Sequence, residues 1–239
     1  MKAFLIIVVL VLSISIIFKS KPVNNSEDPL HYLVREPKIK SVKPPVIILL
    51  HGIGSNEKDL FSFANQLPDN FLVISVRAPF IIGNDSYAWY QADFSTNKPI
   101  FDKVQETKSR SALIKFITQL KTNYSFNEKN LFLCGFSQGA IMAYSIGLTR
   151  PDIVKGIAVM SGIILEEIKP SVASNEKLKG LAVFITHGTN DPILGINYAR
   201  EALSYLKSKG IDPTYNEYKE VHTINNQMLN DLITWLNKK

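Results

Sequence analysis

Two kinds of hydrophobic run alternate along this 239-residue chain. Short, nearly unbroken and often β-branched runs at Val46–Leu50, Phe71–Val76, Leu131–Gly135, Gly156–Met160 and Leu181–Thr186 predict strands buried on both faces. A sixth, Thr214–Glu220, alternates polar and apolar residues and predicts an edge strand. Between the runs, apolar residues spaced by three and four predict helices over Glu57–Gln66, Lys103–Thr122, Gln138–Thr149, Ile196–Lys207 and Ile224–Lys238. In the last of these Met228, Leu229, Leu232, Trp235 and Leu236 form one apolar stripe for docking on the sheet. Pro29 to Lys43 predicts one or two antiparallel strands ahead of the alternation, and no internal repeat is visible. Strand and helix in this order predict an α/β fold with a mostly parallel central sheet and helices on both faces.

Two stretches stand outside this pattern. Residues 3–18 are polar only at Ser13 and Ser15 and are bounded by Lys2, Lys19 and Lys21. Residues 1–21 therefore predict a signal peptide or a membrane anchor, followed by a polar linker over 22–30 and a globular domain over 31–239. The lack of a small-x-small pair beyond the run favours an uncleaved anchor over a cleaved signal, so the expectation is an exported or membrane-anchored protein. The second stretch, Ala78 to Asp102, is aromatic and broken by Pro and Gly, and predicts a functional loop over the sheet edge.

Composition narrows the choice. The formal charge is +6, but Lys2, Lys19 and Lys21 precede the first acidic residue, so the remainder carries only +3. No basic block suggests a nucleic-acid surface. The single cysteine, Cys134, excludes an internal disulfide and a Cys-rich zinc cluster.

The chemistry concentrates in Gly135-Phe136-Ser137-Gln138-Gly139, a G-x-S-x-G between an expected strand and an expected helix. That context is required of a nucleophile elbow, where the glycines relieve crowding and the serine takes a strained turn that lifts its hydroxyl above the sheet. A serine hydroxyl needs a base, and the base needs an acid to hold its tautomer. In this architecture the chain order is serine, acid, histidine. Of the four histidines, His31 and His51 come too early, and His187 precedes any acid in its own loop, where it reads as a brace. His222, after the last strand, has the right place. Asp191, just beyond the strand Leu181–Thr186, is the expected acid; Asp152 and Asp212 read better as helix-end or turn residues. The oxyanion formed on attack needs two backbone N–H donors, expected from Gln138 and, in His51-Gly52-Ile53-Gly54, from Ile53.

Together the segments LHGIGSNEKDL (Leu50–Leu60), SVRAP (Ser75–Pro79), AWY (Ala88–Tyr90), CGFSQGAIMA (Cys134–Ala143), SG (Ser161–Gly162), HGTNDPIL (His187–Leu194) and HTINNQMLNDLITWL (His222–Leu236) resemble the phospholipase/carboxylesterase family of α/β-hydrolases, which includes the acyl-protein thioesterases. The resemblance implies an α/β-hydrolase fold without a separate cap domain. It implies hydrolysis of small-molecule carboxylic esters or thioesters by Ser137, Asp191 and His222, without cofactor or metal. It also places Trp89 and Tyr90 in an aromatic loop near the acyl site, and Phe80, Ile81 and Phe94 are added on chemical grounds as an apolar channel. One departure is local: Val221 stands where the family usually has glycine before the histidine, and its restricted backbone predicts a differently held His222. The alternatives are a feruloyl, polymer-ester or lactone hydrolase of the same fold, or an inactive hydrolase fold used for binding.

Overall fold

The structure, a computed structural model, describes residues 30–93 and 99–239. The elements are β1 (Tyr32–Arg35), β2 (Val46–Leu50), α1 (Lys58–Phe61), β3 (Leu72–Val76), β4 (Phe80–Gly83), β5 (Ser86–Ala88), β6 (Ala92–Asp93), β7 (Ile100–Phe101), α2 (Lys103–Asn123), β8 (Leu131–Phe136), α3 (Gln138–Thr149), β9 (Gly156–Met160), α4 (Asn175–Leu178), β10 (Ala182–Gly188), α5 (Asn197–Ser208), β11 (Thr214–Tyr218) and α6 (Asn226–Leu236). Seven strands form one sheet in the order β1-β3-β2-β8-β9-β10-β11. Only β1 is antiparallel to its neighbour.

The apolar runs are continuous because both faces of the sheet are covered. Within β2, Val46, Ile48 and Leu50 face one core while Ile47 and Leu49 face the other. β3, β8, β9 and β10 divide in the same way, as the two-residue strand period demands. Which helix covers which face follows from chain direction. From β2 the chain steps outward to β3, then reverses across the sheet to β8, β9, β10 and β11. Parallel crossovers are right-handed, so a reversal of direction moves the covering helix to the opposite face. Leu60 before β3 accordingly lies in one core, which Leu229, Leu232 and Trp235 of the terminal α6 also share, while the apolar faces of the crossover helices α2, α3 and α5 lie in the other. The reversal also opens a crevice between the ends of β2 and β8, the usual place for a ligand in such sheets.

Three expectations are adjusted. The helix predicted over Glu57–Gln66 is regular only across Lys58–Phe61. Beyond it most bonds tighten to three-residue spacing, as in Phe63 N–H to Leu60 O, and carry Leu60, Ala64 and Leu67 onto the sheet before Pro68. Among the described residues ahead of β2 there is one strand, β1. In the described part of the long loop β4 pairs with β5 and β6 with β7, both antiparallel; the first pair turns at Asn84-Asp85, with Asp85 in the left-handed region at φ 49°.

The expectation of export or membrane anchoring through the N-terminus is not upheld. Among the described residues no helix is long and apolar enough to cross a membrane, and residues 3–18 themselves lie outside them, as does Phe94.

Candidate active site

Ser137 sits between β8 and α3 at φ 53°, ψ −117°, a conformation that crowds its own Cβ. The turn closes only because its neighbours lack side chains. A Cβ on Gly135 would lie 2.2 Å from the backbone of Gly139, and one on Gly139 would lie 1.9 Å from the carbonyl oxygen of Leu50. The Ser137 amide donates to Met160 O at 2.9 Å, which ties the turn to β9. Cys134, three residues earlier, is buried, and burial pushes its thiol up to about 12, so it offers no competing nucleophile.

His222 lies on the loop between β11 and α6. Its Nδ1 is 2.6 Å from Asp191 Oδ2 and its Nε2 is 2.9 Å from Ser137 Oγ. This network assigns the proton to Nδ1, which donates to the carboxylate and leaves Nε2 to accept from the serine hydroxyl. The ring also packs on Phe136, with centroids 4.9 Å apart. Val221 does not disturb this placement. Among the described residues other than glycine, only Asp85, Ser137 and Ser161 have positive φ, so the position before the histidine requires no glycine in this chain.

Asp191 follows β10, and its Oδ1 accepts the amides of Ile193 and Leu194, both at 2.9 Å. Burial would raise its carboxyl, but the hydrogen bonds from His187, His222 and these amides outweigh burial and hold it well below the usual carboxylate range. His187 is fully buried, with Nε2 2.6 Å from Leu194 O and 3.3 Å from Asp191 Oδ2, and braces the loop as expected. Asp152 instead pairs with Arg150 at the surface, and Asp212 is exposed.

Ile53 lies on the loop after β2. That loop adjoins the nucleophile, since a Cβ on Gly52 would be 3.4 Å from Ser137 Cβ. Among the described residues no backbone carbonyl accepts from the amide of Ile53 or of Gln138. His51 fixes the loop's origin: its Nδ1–H donates to Gly52 O at 2.7 Å while its Nε2 accepts from Ala78 N–H at 3.0 Å. Burial lowers this ring's pKa, consistent with a neutral brace.

The aromatic residues expected at the acyl site fall elsewhere. Trp89 and Tyr90 are fully buried in the core. Trp89 Nε1–H donates to His51 O at 2.9 Å, and the Gln138 side chain accepts from Trp89 N–H at 2.7 Å and donates to Tyr90 O at 2.6 Å. They lie in the core, where Trp89 joins His51 of one loop to Gln138 of the elbow and its carbonyl accepts from Ser109 Oγ of α2, while the Tyr90 hydroxyl is buried with no hydrogen-bond partner among the described residues. Phe80 and Ile81 belong to β4 and do not line the cleft beside Ser137. That cleft, about 1060 Å³, is lined instead by Ile163, Ile164, Leu165, Ile193, Phe101 and Tyr198, with Glu166, Glu167 and Glu201 also on its wall. The apolar IILEEI run directly after Ser161-Gly162 was the available signal for this wall. Among the described residues no group of three or more His, Cys, Asp or Glu is placed to hold a metal ion.

A doubly covered parallel sheet with a serine on a strained turn at its reversal point defines an α/β-hydrolase. The sequence profile of the phospholipase/carboxylesterase family matches residues 33–239, and the chain belongs to that family, a hydrolase acting on esters. It is similar to carboxylesterase SOBER1 of Arabidopsis thaliana, with 26% identity over 210 residues, 81% of this chain and 90% of that protein. Acyl-protein thioesterase 1 of Kluyveromyces lactis is 26% identical over 208 residues, 81% of this chain and 91% of that protein. Among solved structures, the Bacillus cereus carboxylesterase superposes with a TM-score of 0.77 at 25% identity, covering 89% of this chain and 96% of that one.

Proposed function

We propose that the protein hydrolyses carboxylic esters or thioesters by two-step acyl transfer through Ser137, His222 and Asp191. His222 Nε2 takes the hydroxyl proton as Ser137 Oγ attacks the carbonyl carbon. The resulting oxyanion accepts hydrogen bonds from the amides of Ile53 and Gln138, and the imidazolium then gives its proton to the departing alcohol or thiol. Water repeats the sequence on the acyl-enzyme, releasing the acid. Asp191 stays ionised and stabilises the imidazolium. The acyl group of the substrate lies along Ile163–Leu165 and Ile193.

The observation that carries this reading is the double reach of one imidazole, 2.6 Å to Asp191 and 2.9 Å to Ser137, from three separate loops. The purified full chain is expected to hydrolyse a short p-nitrophenyl ester and to be labelled at Ser137 by a fluorophosphonate. Ser137→Ala is expected to do neither. Folded wild-type protein that is inert and unlabelled overturns the proposal.

A further inference from the structure

An oxyanion donor supplied by the backbone has no side chain with which to aim itself, so whatever holds its loop sets the angle of the N–H. The loop carrying Ile53 is anchored on one side by the β4–β5 hairpin. Gly54 N–H donates to Tyr87 O and Tyr87 N–H to Ser55 O, both at 2.9 Å, and Ser86 Oγ donates to Gly54 O at 2.9 Å.

On its other side the loop runs into Glu57, a carboxylate only 1% exposed. Arg77, just beyond β3, meets it with a fork: Nε and one terminal nitrogen reach the two carboxylate oxygens at 2.6 Å each. The same guanidinium lies 4.6 Å over the ring of Tyr87, the residue that pairs with Gly54 and Ser55. His31, more than half exposed, stands 3.6 Å from Glu57 and adds little to a pair already closed by the fork. Burial alone would raise the Glu57 carboxyl, but the Arg77 hydrogen bonds outweigh it and hold it below its ordinary value.

A buried ion pair is a weak source of stability, because desolvation offsets most of the attraction. What a bidentate fork supplies is orientation, since two parallel bonds fix distance and plane together. We propose that Glu57 and Arg77 are positioning residues for the oxyanion hole. The fork ties the end of the Ile53 loop to β3 and, through Tyr87, to the hairpin, so that the Ile53 amide meets the tetrahedral oxygen. This rests on the acyl-transfer reading above.

The test uses the full chain with Glu57→Met/Arg77→Met, which removes both charges together, and Arg77→Lys, which keeps the charge and loses the fork. Each is assayed for ester hydrolysis, for affinity toward an alkyl boronic acid that forms a tetrahedral adduct on Ser137, and for affinity toward the matching amide, which reports ground-state binding. In the folded double variant kcat/KM and boronate affinity are expected to fall together by about 10- to 100-fold while amide affinity stays within about twofold. Unchanged boronate affinity, or equal losses for boronate and amide, overturns the proposal. Should the double variant fail to fold, Arg77→Lys decides: a boronate-selective loss of about 3- to 10-fold supports the role, and none overturns it. Failure of the underlying reading is separate, since it shows as wild-type protein unlabelled at Ser137.

Discussion

Gly188 and Val221 meet backbone to backbone: a Cβ on Gly188 would stand 2.4 Å from the carbonyl oxygen of Val221, and as close to that of Glu220. Thr189 N–H donates to Tyr218 O at 2.7 Å and Asn190 N–H to Glu220 O at 2.9 Å, so the loop of Asp191 and the loop of His222 are one hydrogen-bonded unit. The 2.6 Å carboxylate–imidazole contact depends on this closeness.

Gly188→Ala is therefore expected to push the two loops apart, destabilising the protein by about 1–3 kcal/mol and lowering kcat/KM by up to roughly 100-fold. Gly195→Ala, where a Cβ would meet nothing within 4 Å, should leave stability unchanged; because Gly195 lines the cleft, it serves as the control for unfolding alone. Thermal unfolding of the pair and steady-state kinetics of Gly188→Ala check this.

Asp191→Asn should keep the fold and lower kcat by roughly 10,000-fold, because an amide no longer enforces the Nδ1–H tautomer of His222. The wild-type carboxyl titrates well below its ordinary 3.8, so the rate between about pH 4 and 5 should show no inflection from Asp191. The sign for stability is the depressed-carboxylate one. Its contribution is fully present above 3.8 and is lost as pH falls below that towards the lower native value. Denaturant melts of wild type and variant should thus converge with acidification below 3.8.

Ile164→Trp should shorten the apolar cleft and shift preference towards short acyl chains. Each methylene excluded from burial is worth ~0.8 kcal/mol, or about fourfold in kcat/KM. A series of p-nitrophenyl esters from acetate to decanoate measures it, and a parallel loss across the whole series would contradict the assignment of this wall.

Trp89→Phe tests the opposite assignment. Its indole N–H holds His51 O from beneath the site, so the variant should lose about 1 kcal/mol of stability and part of kcat. The ratio of rates along the same ester series should not change.

Much of the fold was legible because burial on both sheet faces writes itself into local composition. Val46–Leu50 and Gly156–Met160 are strands with the expected ends, and Gln138–Thr149 is a helix with the expected ends. The boundaries that moved are those set by packing. The segment after Glu57 has helical spacing but tightens once Leu60, Ala64 and Leu67 reach the sheet. The hairpin at Phe80–Ala88 carried only a two-residue turn signal, Asn84-Asp85, inside an otherwise irregular aromatic stretch.

The candidate site divides along the same line. Ser137, Asp191 and His222 could be singled out because strand-end position and chain order are properties of the sequence. The apolar channel expected of Phe80 and Ile81 and the acyl-site loop expected of Trp89 and Tyr90 do not line the cleft, since a large apolar residue serves a core as readily as a pocket and its burial depends on residues far away, for Trp89 and Tyr90 on His51 and Gln138.

By itself the sequence determined the order of the main sheet strands from β2 onward and of the helices between them, the double covering of the sheet and the residue types able to carry acyl transfer, because these follow from local periodicity and side-chain chemistry. Only the tertiary structure decided that Gly139 meets Leu50, that Gly188 meets Val221, that Arg77 grips Glu57, and that Ile163–Leu165 and Phe101 rather than Trp89 and Tyr90 line the cleft of Ser137. Those are contacts between distant segments. Their distances are set by how close two backbones can approach, which no single stretch of sequence contains.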